Sequence, residues 1–302
     1  MFQSPLNYTG GKYKLLPQIL PYFPSTINTF VDLFCGGCNV GINVFAKTHI
    51  YNDISEPLIG LLSLMKRLSS EEFILQVNGV IKAYGLSDVK VNGYEYYGCS
   101  SVKGLSSFNR ERFLKLRDDF NHRTKYDDDY YVKLYVLIVF SFNNQIRFNK
   151  NGKFNLPPGK RDFNQKMFKK LETFIQALHT QSSSFMNNDF TMIDFSDLKS
   201  TDFVYADPPY LVTCASYNEQ GGWNEQKEVA LLFLLDELSS RGVRFALSNV
   251  MESKGKTNEI LLNWINHRPE YRLFELNYTY NNANYQRKNK GCLLYTSDAA
   301  DE

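Results

Sequence analysis

Residues 203–210 read Phe-Val-Tyr-Ala-Asp-Pro-Pro-Tyr. An apolar, β-prone run ends in an acid, two prolines and an aromatic. Neither Pro208 nor Pro209 can donate a ladder hydrogen bond, so a strand through Val204 and Tyr205 must stop there. Asp207 is thereby set at a strand's carboxyl edge, where open α/β sheets bind their ligands. The prolines stiffen the turn and leave backbone carbonyls without neighbouring donors. Tyr210 adds a flat face. A carboxylate, a free carbonyl and an aromatic plate suit a planar ring bearing an amino group, with two acceptors for the NH2 and one surface for stacking. The bland alternative is a strand end with a surface acid.

Other stretches must position that edge. Thr29-Phe-Val-Asp-Leu-Phe34 is β-rich and breaks into Cys35-Gly36-Gly37-Cys38-Asn39-Val40-Gly41 before apolar spacing returns. This predicts strand, glycine loop and helix, a loop that bends beneath a nucleoside-bearing cofactor. A second strand, His49 to Asp53, ends in an acid 17 residues after Gly36. That is close to the roughly 20-residue offset at which an acid meets ribose hydroxyls in such units. Upstream, Tyr8-Thr-Gly-Gly-Lys12 is a glycine-lysine turn able to hold an anion or carboxylate. It lacks the spacing of a phosphate-binding P-loop. Cys35 and Cys38 form a Cys-x-x-Cys pair. With no second pair and four scattered histidines, a metal or redox role is not expected.

Leu58 to Leu75 predicts a helix. From Gly79 to Tyr131 the chain turns polar and Tyr-rich, with helical spacing at Phe113, Leu116 and Phe120, and reads as an insertion into the α/β core. Tyr131 to Phe142 predicts a buried helix. Arg147 to Leu156, with Asn151-Gly152 at its centre, predicts a β-hairpin. Residues 143–170 carry eight Lys or Arg against one acid, Asp162. Basic residues interleaved with Phe148, Phe154 and Phe163 make a credible DNA contact, against the alternative of a solvated edge hairpin. The α/β pattern then resumes, with Asn188-Asp189-Phe190 at a strand tip able to flank an adenine. Helices are predicted over Phe168–Leu178, Lys227–Leu238 and around Ile260–Trp264, and strands over Val243–Ser248 and Tyr271–Tyr280.

The chain has 302 residues, 43% hydrophobic content and a net charge of +2, so a core is affordable and any basic surface must be local. No apolar run near 18 residues and no signal-peptide pattern is present, and five cysteines lack framework spacing. A reducing, cytoplasmic setting with no membrane is expected. The last eleven residues read unlike the rest. They resemble the in-frame translation of a transposase-type sequencing adapter, so the expectation is that residues 292–302 are a scar, that 281–291 form a loop, and that a final strand is missing.

Together, Tyr8-Thr-Gly-Gly-Lys12, Asp32-Leu-Phe-Cys-Gly-Gly37 with Asp53, and Asp207-Pro-Pro-Tyr210 resemble the Dam-like, alpha-group DNA adenine N6-methyltransferase family. The hairpin, through Pro157-Pro-Gly159, also looks like that family's recognition hairpin. The resemblance spans about residues 4–291. It implies a Rossmann-like S-adenosylmethionine-dependent methyltransferase sheet, with an inserted, mostly helical target-recognition domain carrying a β-hairpin. The corresponding boundaries are 1–62 with 171–291 for the catalytic domain and 63–170 for the insertion. It further implies S-adenosylmethionine as cofactor, with Tyr8 and Lys12 near its methionine end, Asp53 at the ribose, Asp189 and Phe190 around the adenine, and Phe34 and Gly36 lining the loop. Asp207, Pro208 and Tyr210 would be catalytic, with no metal, and Arg147, Lys150, Asn151, Lys153, Lys160 and Arg161 would meet double-stranded DNA. A bacterial or phage-infected cell, and a cognate restriction endonuclease, fit the same family. Two departures stand out: Cys38, where a glycine or other small residue is usual, and the missing final strand. Alternatives kept open are a catalytically impaired DNA-binding protein and a methyltransferase acting on another amino group such as cytosine N4. A dehydrogenase is discounted for want of Gly-x-Gly-x-x-Gly.

Overall fold

A computed structural model describes residues 1–8, 10–213, 222–253, 255–277 and 293–297. The strands are β1 (Thr29–Asp32), β2 (Thr48–Asn52), β3 (Ser183–Met186), β4 (Phe203–Ala206), β5 (Arg244–Asn249), a two-residue ribbon β6 (Glu252–Ser253) and β7 (Lys256–Thr257), β8 (Arg272–Glu275) and β9 (Leu293–Thr296). The helices are α1 (Leu16–Ile19), α2 (Glu56–Arg67), α3 (Ser70–Ala83), α4 (Val89–Asn92), α5 (Ser106–Asn121), α6 (Asp128–Phe140), α7 (Gln165–Thr180), α8 (Glu225–Ser240) and α9 (Glu259–Asn266).

The chain divides into two compact units. One comprises Lys12–Cys35, Asn43–Ile54 and the described residues from Ser182 onward. It holds a seven-stranded sheet in the order β3-β2-β1-β4-β5-β9-β8. The first five strands run parallel. All four residues of central β4 are buried, as a strand covered on both faces requires. On one face, alternate residues Val31, Leu33, Val204, Ala206, Phe245 and Leu247 pack with Leu231, Leu235 and Leu238 of α8 and Leu261 of α9. On the other, the Phe23 ring lies 4.8 Å from Phe203 and 5.5 Å from Tyr205.

The other unit, Met1–Gly11, Gly36–Ile42 and Ser55–Gln181, is helical. Its centre is α6, where every residue from Leu134 to Phe140 is buried, with α2, α3 and α5 packed around it and α7 against α2 and α3. Domain boundaries placed at 62/63 and 170/171 would cut α2 and α7 in the middle, and the compact unit instead takes both helices whole. The helix expected over Leu58–Leu75 is two helices. A capping box, Ser69 with Glu72, starts α3 and stops α2 from running on.

One further expectation is corrected. The glycine loop leads into a three-residue 3-10 turn, Gly41–Asn43, rather than a full helix. Val40, Ile42 and Val44 alternate with period two, and β2 begins at Thr48, leaving no room for one. Within the stretch expected to be a scar, Leu293–Thr296 forms β9, antiparallel to both β5 and β8, with Leu294 fully buried. Leu-Leu-Tyr-Thr is itself a β-prone run. Residues 281–291, expected to form a loop, lie outside the described residues. So does the end of the strand expected to reach Tyr280, of which β8 is the described part.

Candidate active site

β1, β2 and β4 end at the same carboxyl edge, and the sequence puts a carboxylate just past β2 and β4. Asp207 follows β4, and Pro208 and Pro209 end the ladder as expected. Lys12 Nζ lies 2.5 Å from Asp207 Oδ2, with the lysine side chain 3% and the aspartate 17% exposed. The Tyr210 hydroxyl donates to Asp207 Oδ1 at 2.9 Å. The Lys12 ammonium also stands 5.2 Å from the centre of the Tyr210 ring. One carboxylate thus gathers a cation and a phenol, and it still reaches solvent. Pro208 and Tyr210 are buried, while Pro209 is exposed. Sequence reasoning named all these residues but not the Lys12–Asp207 pair.

Asp53 sits directly after β2, 7% exposed. Its backbone is clamped to the next strand end: its N–H donates to Met186 O at 3.2 Å, and its carbonyl accepts from Asn187 Nδ2 at 2.9 Å. Asp189 caps the turn Phe190–Met192, accepting from the Thr191 N–H at 3.1 Å and hydroxyl at 2.9 Å, and pairs with Lys227 Nζ at 3.1 Å. Partial burial pushes its carboxyl up, but the Thr191 donors and the Lys227 ammonium outweigh that and hold it below the ordinary carboxylate range. Phe190 is buried with its ring 5.4 Å from Phe34 and 5.7 Å from Trp223. Trp223 escaped the sequence reading.

In the helical unit, Gly36 has φ +48, and a Cβ there would sit 3.0 Å from the Tyr8 ring, so glycine is required. Cys38 also lies in the left-handed region, at φ 58, which explains why a glycine suits that position. Cys35 and Cys38 are both buried. Among the described residues no group of three or more His, Cys, Asp or Glu could hold a metal ion, and no helix is long and apolar enough to cross a membrane.

The predicted hairpin forms. Phe148 bridges Phe154 antiparallel, Asn149 N–H donates to Lys153 O at 2.9 Å, and Gly152 turns at φ +69. Arg147, Lys150, Asn151, Lys153, Lys160 and Arg161 are all exposed. The Arg147 guanidinium donates to Asn155 Oδ1 at 2.8 Å, aligning it along the ribbon. Phe148, Phe154 and Phe163 are buried. Phe148 and Phe154 meet edge-on at 5.8 Å as the hairpin's own apolar anchor, which a ribbon this short needs, while Phe163 packs by Tyr135 and Phe168.

A model of the D12 class of N6 adenine-specific DNA methyltransferases matches residues 8–282. The chain belongs to this family. As a D12-class chain it is 43% identical over 289 residues to the type II methyltransferase M.FokI of Planomicrobium okeanokoites, covering 94% of this chain and 40% of that protein. It is 41% identical over 295 residues to the modification methylase StsI of Streptococcus sanguinis, covering 96% and 41%. A DNA adenine methylase of Vibrio cholerae is 25% identical over 251 residues, covering 81% and 80%. The chain spans about two fifths of the length of M.FokI and StsI. The mostly parallel sheet with flanking helices is consistent with this membership.

Proposed function

We propose that this chain transfers the methyl group of S-adenosylmethionine to N6 of adenine in double-stranded DNA, at a specific site, in the cytoplasm of a bacterial or phage-infected cell. A cognate restriction endonuclease reading the same site would be its partner. The observation that carries the reading is the Asp207 carboxylate, held by Lys12 and Tyr210 at the end of β4 with 17% of its side chain still exposed.

The residues fit the cofactor. Gly36 leaves the loop without a Cβ, Asp53 is a buried acid at a strand end suited to ribose hydroxyls, and Phe34 and Phe190 offer aromatic surface for a purine. Tyr8 and Lys12 would hold the methionine end. When bound, S-adenosylmethionine supplies an electrophilic methyl on a positively charged sulfur.

The adenine amino nitrogen is a poor nucleophile because its lone pair is delocalised into the ring. Asp207 and the Pro208 carbonyl each accept one of its N–H bonds, drawing it toward tetrahedral geometry. Each Asp207 oxygen has a second acceptor site beyond the bond it already makes to Lys12 or Tyr210. Lys12 keeps the carboxylate oriented, and the nitrogen sheds its spare proton to water. Alignment of this kind can supply roughly 7–11 kcal/mol. The target atom lies inside the duplex, so the base must flip out at a cost of a few kcal/mol. Arg147, Lys150, Asn151, Lys153, Lys160 and Arg161 contact the DNA.

The test is transfer from labelled S-adenosylmethionine to unmethylated duplex DNA, with product nucleosides separated. Label in N6-methyladenine is expected. Label in N4-methylcytosine would overturn the base assignment, and binding of DNA with no label in any nucleoside would overturn the enzyme.

A further inference from the structure

Glu228, on α8, is fully buried and takes no part in the chemistry above. Its Oε2 accepts the indole N–H of Trp223. Its Oε1 accepts Asn249 Nδ2 at 3.0 Å and Asn258 Nδ2 at 2.8 Å. These donors come from three places: the residue run leading into α8, the last residue of β5, and the cap of α9. All three are neutral. Burying a carboxylate is expensive, and a neutral glutamine could serve as helix filler there. What a carboxylate alone offers is four acceptor sites and no donor, so it can take three N–H groups converging on it.

The group so fixed is the indole. Its ring centre lies 5.5 Å from Phe34 at 82° and 5.7 Å from Phe190 at 37°. Trp223 and Phe34 are only half-buried, so the three rings make an apolar corner with open surface beside the Asp189 cap. A planar heteroaromatic group fits such a corner, and a wall that can rotate would hold it poorly.

We propose that Trp223 is the third aromatic wall of the site for the cofactor's adenine, and that Glu228 is a positioning residue that locks its indole. This rests on the methyltransferase reading. The probe is S-adenosylhomocysteine, the unreactive product. The chain has two tryptophans, so Trp264→Phe leaves Trp223 as the single emitter. In that background, S-adenosylhomocysteine should change Trp223 emission with the same Kd that calorimetry gives. Trp223→Ala should raise the Kd about tenfold, as loss of one stacking partner implies, and Trp223→Phe by less. Glu228→Gln should shift Trp223 emission before any ligand is added and raise the Kd and the KM for cofactor, with the KM for DNA unmoved. In the Trp223→Phe background Glu228→Gln should add no further loss of binding, an outcome that mere stabilisation of the fold would not give.

Calorimetric binding with no change in emission, or a Trp223→Ala Kd within twofold of the parent, would overturn the proposal while leaving the methyltransferase reading standing. Independent effects in the double variant would overturn the role of Glu228. No calorimetric binding to the unaltered chain would defeat the methyltransferase reading, and this proposal with it.

Discussion

At the end of β4 the working side chains are nearly withdrawn from water, Lys12 at 3% and Asp207 at 17% exposure, and each oxygen of the carboxylate already has a partner. On the hairpin around Gly152 the arrangement is reversed. Its two phenylalanines, Phe148 and Phe154, are buried, and Arg147, Lys150 and Lys153 stand in solvent. The first region depends on single atoms held by a buried strand. The second depends on a surface carried by a small apolar anchor. A site that must align one bond tolerates no substitution, whereas a surface that neutralises phosphates spreads its effect over several residues.

The largest effect that would break this contrast is at Asp207. Asp207→Ala should lower methyl transfer by at least about a thousandfold, on the scale of losing a transition-state contact in a buried site, with DNA affinity within threefold. A labelled-transfer assay and a DNA-binding titration read the two; turnover within about tenfold of the parent would sink the assignment. Next is Lys12→Met, which leaves Asp207 without its cation. Breaking a buried pair costs roughly 3–5 kcal/mol, and solvent access at Asp207 puts this one near the lower end. Thermal unfolding should show it, together with reduced turnover.

On the hairpin the effects are smaller and separable. Arg147→Ala should weaken DNA binding by about 1–3 kcal/mol and relax sequence preference if that side chain reads a base edge. Lys150→Gln or Lys153→Gln should lower affinity evenly across sequences and reduce the salt slope by about 1 each. Any loss of cofactor binding in these variants would contradict the division of labour.

The smallest effect concerns Lys170, in α7. Burial, with Lys166 nearby, pulls its pKa down from 10.5 to about 8. Between those values the unfolded chain holds a proton that the folded chain has released, so stability should rise with pH from about 8. The rise should be read below pH 10. Above that, unfolded tyrosines ionise while burial pushes up the folded-state pKa values of Tyr84, Tyr130, Tyr131 and Tyr135, which acts against the fold. Denaturant midpoints at pH 8 and 9.5 should climb for the parent chain and stay flatter for Lys170→Met.

What could be read from the residues alone has a local cause. Asp207 is legible because the two prolines after it end the strand, and Asp53 because it closes a short β-prone run. The hairpin is legible because Asn151-Gly152 specifies its own turn. What was missed depends on residues far apart in sequence. Glu228 looks like any helical surface acid until Asn249 and Asn258, 21 and 30 residues onward, converge on it. Phe148 and Phe154 sit among Arg147, Lys150 and Lys153 as a stacking surface would, and only packing shows them turned inward. The helix expected after the glycine loop fails on length, since β2 begins too soon. A run of two apolar residues and a tyrosine near residue 293 carries no sign of which strands it will join. A signal for Trp223 existed in its rarity and in its place before a strong helix, but nothing local pointed it at Phe34.

The position of β9 governs the order in which the sheet can be finished during synthesis. β5 ends at Asn249, yet its neighbour on that side is supplied by Leu293–Thr296, and β8 joins the sheet through that same segment. At the usual pace of translation the 47 residues from Val250 to Thr296 take roughly 2–9 s to appear. Throughout that interval a nascent chain carries a completed apolar strand with an open edge, which is a template for pairing with another nascent chain. Slower, cooler expression lengthens the interval but weakens apolar association, so yield of soluble protein should respond to chaperone supply more than to temperature.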